Sequence, residues 1–129
     1  MTEVRLNQIA KTCLDCAFRV HTALGPGLLE SSYKACLAFE IAQSGLRAEV
    51  EVPVPLVYGG QKLADVGYRV DVLVENELIL EIKSVEAIAP VHRAQLLSYL
   101  RLSNKHLGLL INFNVVHLRD GIARIVNGL

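Results

Sequence analysis

Apolar side chains fall at Leu6, Ile9, Ala10, Cys13, Cys16, Ala17, Val20 and Leu24, with Arg5, Lys11, Asp15 and Arg19 between them. Steps of three and four residues put the apolar set on one helix face, so Val4 to Leu24 predicts an amphipathic helix. Gly25-Pro26-Gly27 ends it, because the glycines permit positive φ and the proline cannot continue a helix. A second helix is predicted from about Leu28 to Ser44, with Gly45 at its C-terminus. The period then becomes two. Arg47, Glu49 and Glu51 alternate with Ala48, Val50 and Val52, which marks Leu46 to Tyr58 as a strand with one wet face, and Pro53 and Pro55 assign it to a sheet edge or a bend.

Gly59-Gly60 is a hairpin turn leading to a short strand near Lys62 to Val66, followed by Tyr68 to Val74 and Leu78 to Val85 as an antiparallel meander. Helical spacing returns from Pro90 to Ser103 and predicts a crossover helix with Pro90 at its first position. The apolar run Gly108 to Phe113 predicts a strand buried on both faces. Val115 to Leu118 and Ile122 to Val126, on either side of Asp120-Gly121, predict a final hairpin.

The meander also carries the chemistry. With Glu75, Asn76 and Glu77 as a three-residue loop, Val74 opposes Leu78, Val72 opposes Leu80 and Val70 opposes Ile82, and these six side chains share one face. Asp71 then opposes Glu81 on the other face, with Lys83 two residues further along. A one-residue slip would set valines against acids and bury charge, so the hydrophobic pattern selects this register. Two carboxylates across a ladder, with Cβ atoms about 5 Å apart, repel each other. A divalent cation with oxygen ligands offsets that repulsion, and Lys83 adds a positive charge that can orient a water. The simpler alternative is that Lys83 only neutralises Glu81 on a solvated face.

Composition narrows the classes. The chain has 129 residues, 52% of them hydrophobic, with 13 Lys and Arg against 13 Asp and Glu, which predicts one domain over residues 1–129. Zero net charge excludes a protein that holds nucleic acid by bulk electrostatics. The charge is nonetheless split: residues through Ala89 carry 8 basic and 12 acidic side chains, and those from Pro90 onward carry 5 basic and 1 acidic. Arg93 and Arg101 lie on the crossover helix. No apolar run approaches the roughly 20 residues of a membrane span, and the N-terminus does not resemble a signal peptide, so no membrane association and a cytoplasmic location are expected. Three cysteines do not form a disulfide framework; Cys13 and Cys16 read as core thiols, and the four histidines lack metal-ligand spacing.

Gly27-Leu-Leu-Glu30-Ser-Ser-Tyr33 resembles the pattern that names the GxxExxY proteins of the PD-(D/E)XK nuclease superfamily. The resemblance continues through Asp71, Glu81-Ile82-Lys83, Gln95-Leu-Leu-Ser-Tyr99-Leu and Gly108 to Phe113. It implies an α/β (α+β-like) fold with a restriction-endonuclease-like core, a mixed sheet flanked by helices, here with an N-terminal helical pair and a C-terminal hairpin. By the same resemblance Asp71, Glu81 and the Ile82 carbonyl would hold Mg²⁺, with Mn²⁺ as a substitute. Glu30 would join the metal shell through water, Lys83 would orient or deprotonate the attacking water, and Gln95, Tyr33 and Tyr99 would be accessory. The implied function is Mg²⁺-dependent phosphodiester hydrolysis of nucleic acid. The alternative is a catalytically silent nuclease-fold module acting through a protein partner or a homodimer.

Overall fold

The computed structural model describes all 129 residues. Helix α1 spans Glu3–Leu24 and buries Leu6, Ile9, Ala10, Cys13, Cys16, Ala17 and Val20, the face that the spacing predicted. The Thr2 hydroxyl caps it by accepting the Arg5 N–H at 3.1 Å. Gly25, at φ +68°, ends it. Helix α2 spans Glu30–Gln43 and starts later than its periodicity suggests, because Leu29 is extended and the Leu28 carbonyl is occupied by the Ser84 hydroxyl at 2.6 Å. Cys13 and Cys16 are buried free thiols, and burial, followed by the neighbouring Cys16, pushes the Cys13 thiol up to about 12.

Five strands, β1 (Ala48–Tyr58), β2 (Gln61–Val74), β3 (Leu78–Lys83), β4 (Leu107–Asn112) and β5 (Ile122–Val126), lie in sequence order in one sheet. All neighbours are antiparallel except β3 and β4, which are joined by the crossover helix α3 (Pro90–Ser103). The helical pair covers one sheet face and α3 the other. Leu78, Leu80, Ile82, Leu107, Leu109 and Ile111 pack under α1 and α2, whereas Ile79 and Leu110 pack with Leu96 and Leu100 of α3. Each such buried side chain contributes about 1.5–3 kcal/mol from burial. Gly108 sets how closely α3 sits, since a Cβ there would lie 2.9 Å from Leu96 Cδ1. No helix is long and apolar enough to cross a membrane.

Three expectations need correction. First, β2 runs unbroken through Gly67, where β1 instead shifts register between Val54 and Val57; a side chain at Gly67 would lie 2.9 Å from Leu56 Cβ. Second, there is no separate final hairpin. Leu118–Gly121 is a 3₁₀ turn, and β5 pairs back onto β4, whose neighbouring edge it completes. Third, Val72↔Leu80 and Val74↔Leu78 pair as the hydrophobic alternation predicts, but Val70 packs on the α3 side with Leu73 and Ile79, not with Val72, Leu80 and Ile82. Strict alternation needs extended backbone at every step. Glu51, opposite Asp71 in the β1–β2 register, has φ +52°, and the ribbon changes faces there.

Candidate active site

The β2–β3 ladder ends at Val72↔Leu80, and Asp71 and Glu81 are the next residues of the two strands beyond it. At this point side chains take over from the backbone ladder. The Ile82 N–H donates to Asp71 Oδ2 at 2.8 Å, and the Asp71 N–H points to Glu81 Oε1 at 3.4 Å. Strand alternation puts Glu81 and Lys83 on the α3 face, because Leu80 and Ile82 face the helical pair. Glu81 is only 6% exposed. Burial, then the charge of Asp71 and a carboxyl close enough to share its proton, push Glu81 up to about 8, with Lys83 acting in the opposite direction. Glu81 is thereby held toward its protonated form, as expected where two carboxylates face each other.

The end of β3 is pinned from β4. The Phe113 N–H donates to the Lys83 carbonyl at 3.0 Å, and the buried Asn112 amide bonds both the N–H and the carbonyl of Val85 at 3.1 and 2.9 Å. Glu30 opens α2 and reaches the same place from the other side, its carboxylate accepting the Ser84 N–H at 3.4 Å. Tyr99 stacks on Tyr68 with ring centroids 3.9 Å apart and lies beside Gln95. Burial, then Glu81 and Asp71, raise the Tyr99 phenol, so its hydroxyl stays a donor. Gln95 itself makes no hydrogen bond to either carboxylate. His92 is occupied in capping α3, its Nδ1 accepting the Ala89 N–H at 3.0 Å.

Tyr33 lies deeper than an accessory polar group would. It is fully buried, stacked on Phe113 at 4.5 Å, and its hydroxyl donates to the Gly25 carbonyl at 2.6 Å while accepting the Leu28 N–H at 3.1 Å. The hydroxyl thereby closes the turn that presents Glu30. Tyr33→Phe would leave both backbone groups unpartnered and is expected to cost about 1–3 kcal/mol in chemical denaturation. An unchanged midpoint would show that water replaces the hydroxyl.

A family model for the PD-(D/E)XK nuclease superfamily matches residues 7–125. The chain belongs to that superfamily. No curated protein and no solved structure matches it. The layered mixed sheet agrees with the restriction-endonuclease-like fold of PD-(D/E)XK proteins, and membership points to a nuclease. The largest cleft, about 550 Å³, lies between the end of α1 and residues 116–119; it has no lining carboxylate, so concavity does not mark Asp71 and Glu81.

Two residues that the sequence did not mark as site residues join the carboxylates. Lys34 forms an ion pair with Glu51, and Asp71 and Glu30 also act on its charge. Lys34 was detectable as the residue one helical turn beyond Glu30. Glu51 had no signal in the sequence, because only the β1–β2 register sets it across from Asp71.

Proposed function

We propose that the chain hydrolyses phosphodiester bonds in nucleic acid with Mg²⁺, or Mn²⁺ in its place, as a GxxExxY member of the superfamily. The observation that carries this reading is the pairing of half-buried Asp71 with buried Glu81, two hard oxygen donors that meet on adjacent strands. The donor set fits a hard cation. The N–H and carbonyl of one strand residue point to the same edge, so the Ile82 carbonyl faces the same gap as the N–H that bonds Asp71. Nowhere do three His, Cys, Asp or Glu side chains gather as a ready-made metal cluster. That carbonyl, together with waters, one of them held by Glu30, would complete the donors around the ion, consistent with the several waters Mg²⁺ retains.

When bound, the ion would polarise the scissile phosphoryl oxygen and acidify a water for in-line attack. Lys83, on the face of Glu81, orients that water. Tyr99 and Gln95 offer donors to the phosphate from α3. The basic residues after Pro90 favour a phosphate-bearing substrate, because none of Arg93, Arg101, Lys105, Arg119 or Arg124 has a carboxylate partner among the five ion pairs.

A panel of single- and double-stranded DNA and RNA with Mg²⁺, Mn²⁺ or EDTA tests the proposal, with Asp71→Ala as the contamination control. Cleavage in either metal, absent in EDTA and in the variant, is expected. If wild type cleaves nothing, or the variant cleaves equally, the silent-module reading takes over. The outer β1–β2 ribbon favours that second reading, because Tyr58 and Leu63 are 76% and 61% exposed there and would suit a protein partner or a second copy.

A further inference from the structure

Lys34 is the only lysine of α2, and its side chain is 22% exposed. Its ammonium contacts Glu51, which lies opposite Asp71 in the β1–β2 register, and the charges of Asp71 and Glu30 also act on it. An ammonium free to move among them would spend part of its time on Asp71, where it would supply the positive charge that a divalent cation otherwise brings. In the structure its contact is with Glu51 instead.

The backbone of Glu51 shows how firmly the arrangement is built. Glu51 has φ +52°, between the rungs Val50↔Val72 and Val52↔Val70 and opposite Asp71. A non-glycine residue in this region costs about 1 kcal/mol or more and persists only where its surroundings enforce it. No turn explains it, since β1 continues on both sides. The kink coincides with the switch of faces between Val72 and Val70, and it brings a carboxylate from the edge strand to a lysine on α2.

We propose that Glu51 is a positioning residue that holds Lys34 off Asp71 and so keeps the Asp71–Glu81 pair open to a divalent cation. The role rests on the reading of that pair as metal-binding. It makes Lys34 an internal competitor of the metal and Glu51 the residue that restrains it. Loss of Glu51 should therefore weaken metal binding through Lys34, and loss of Lys34 should make Glu51 dispensable.

Calorimetric titration of Mn²⁺ into the metal-free full chain tests this without any turnover. Glu51→Gln is expected to bind about tenfold more weakly than wild type, Lys34→Met as tightly or more tightly, and the double variant like Lys34→Met alone. Glu51→Gly separates position from architecture, because glycine accepts the φ of this residue. It should fold at least as well as wild type in a thermal melt and still show the weakened binding. Affinity within about twofold of wild type in both Glu51 variants overturns the proposal. So does a loss that persists undiminished in the Lys34→Met background, since Glu51 would then act by its own charge. Asp71→Asn is the control for the underlying reading: unchanged binding there, or no binding to wild type, overturns the metal site itself and this role with it.

Discussion

Asp71→Asn is expected to melt about 3 °C higher than wild type in EDTA near neutral pH, while losing Mg²⁺-dependent cleavage by at least about a thousandfold. The two effects share one cause. Asp71 faces Glu81 across the hairpin, and its charge is the second contribution, after burial, to the upward shift of Glu81. An asparagine can still accept the Ile82 N–H through its carbonyl oxygen, and its amide can donate to Glu81, so the geometry survives while the repulsion goes. Burial of Glu81 remains, which is why the gain is modest. Excess Mg²⁺ should raise the melting temperature of wild type by mass action and leave the variant unmoved. If Mg²⁺ and Mn²⁺ leave wild type unchanged and the substitution lowers its melting temperature in EDTA, the pair is a structural feature and the binding-module reading replaces the nuclease one.

The second large effect is on stability against pH. The folded Glu81 titrates at about 8 and an ordinary glutamate at 4.5, so between those values the native chain binds more protons than the unfolded one. Stability contributed by this carboxyl is fully present below the unfolded value, falls as pH rises through the window, and levels off above the folded value. The slope attributable to one proton is at most about 1.4 kcal/mol per pH unit. Chemical denaturation of wild type and Glu81→Gln in EDTA from pH 5 to 9 should give curves that diverge across this window, with the variant the flatter. Parallel curves would mean that Glu81 is ionised in the folded protein. Because a metal must displace the shared proton, cation affinity should climb over the same range.

Much of the hairpin was legible because its information is local. The apolar alternation of Val72, Val74, Leu78 and Leu80 sets which pairs share a face, and a three-residue loop sets their register; both lie within one short segment. The placements that escaped were decided between distant segments. Val70 changed faces because of a kink at Glu51 on the neighbouring strand. Val115 to Leu118 has strand-like composition, but the edge of β4 was filled by Ile122–Val126, leaving the shorter segment to turn. Tyr33 is a local exception: read as an accessory site residue, its hydroxyl instead bonds the Gly25 carbonyl and the Leu28 N–H of the turn just before it.

Periodicity and turn chemistry alone determined the three helices, the crossover before the buried strand, and the placing of Asp71 against Glu81. These follow from side-chain direction, which repeats every 3.6 or 2 residues whatever surrounds the chain. Only the tertiary structure decided that Glu81 is desolvated enough to keep its proton, that Lys34 is held by Glu51 rather than by Asp71, and that Glu30 meets the end of β3. Desolvation and charge depend on what other segments place within a few ångströms, and residues 34, 51, 71 and 81 reach that distance only after three strands and a helix have packed together.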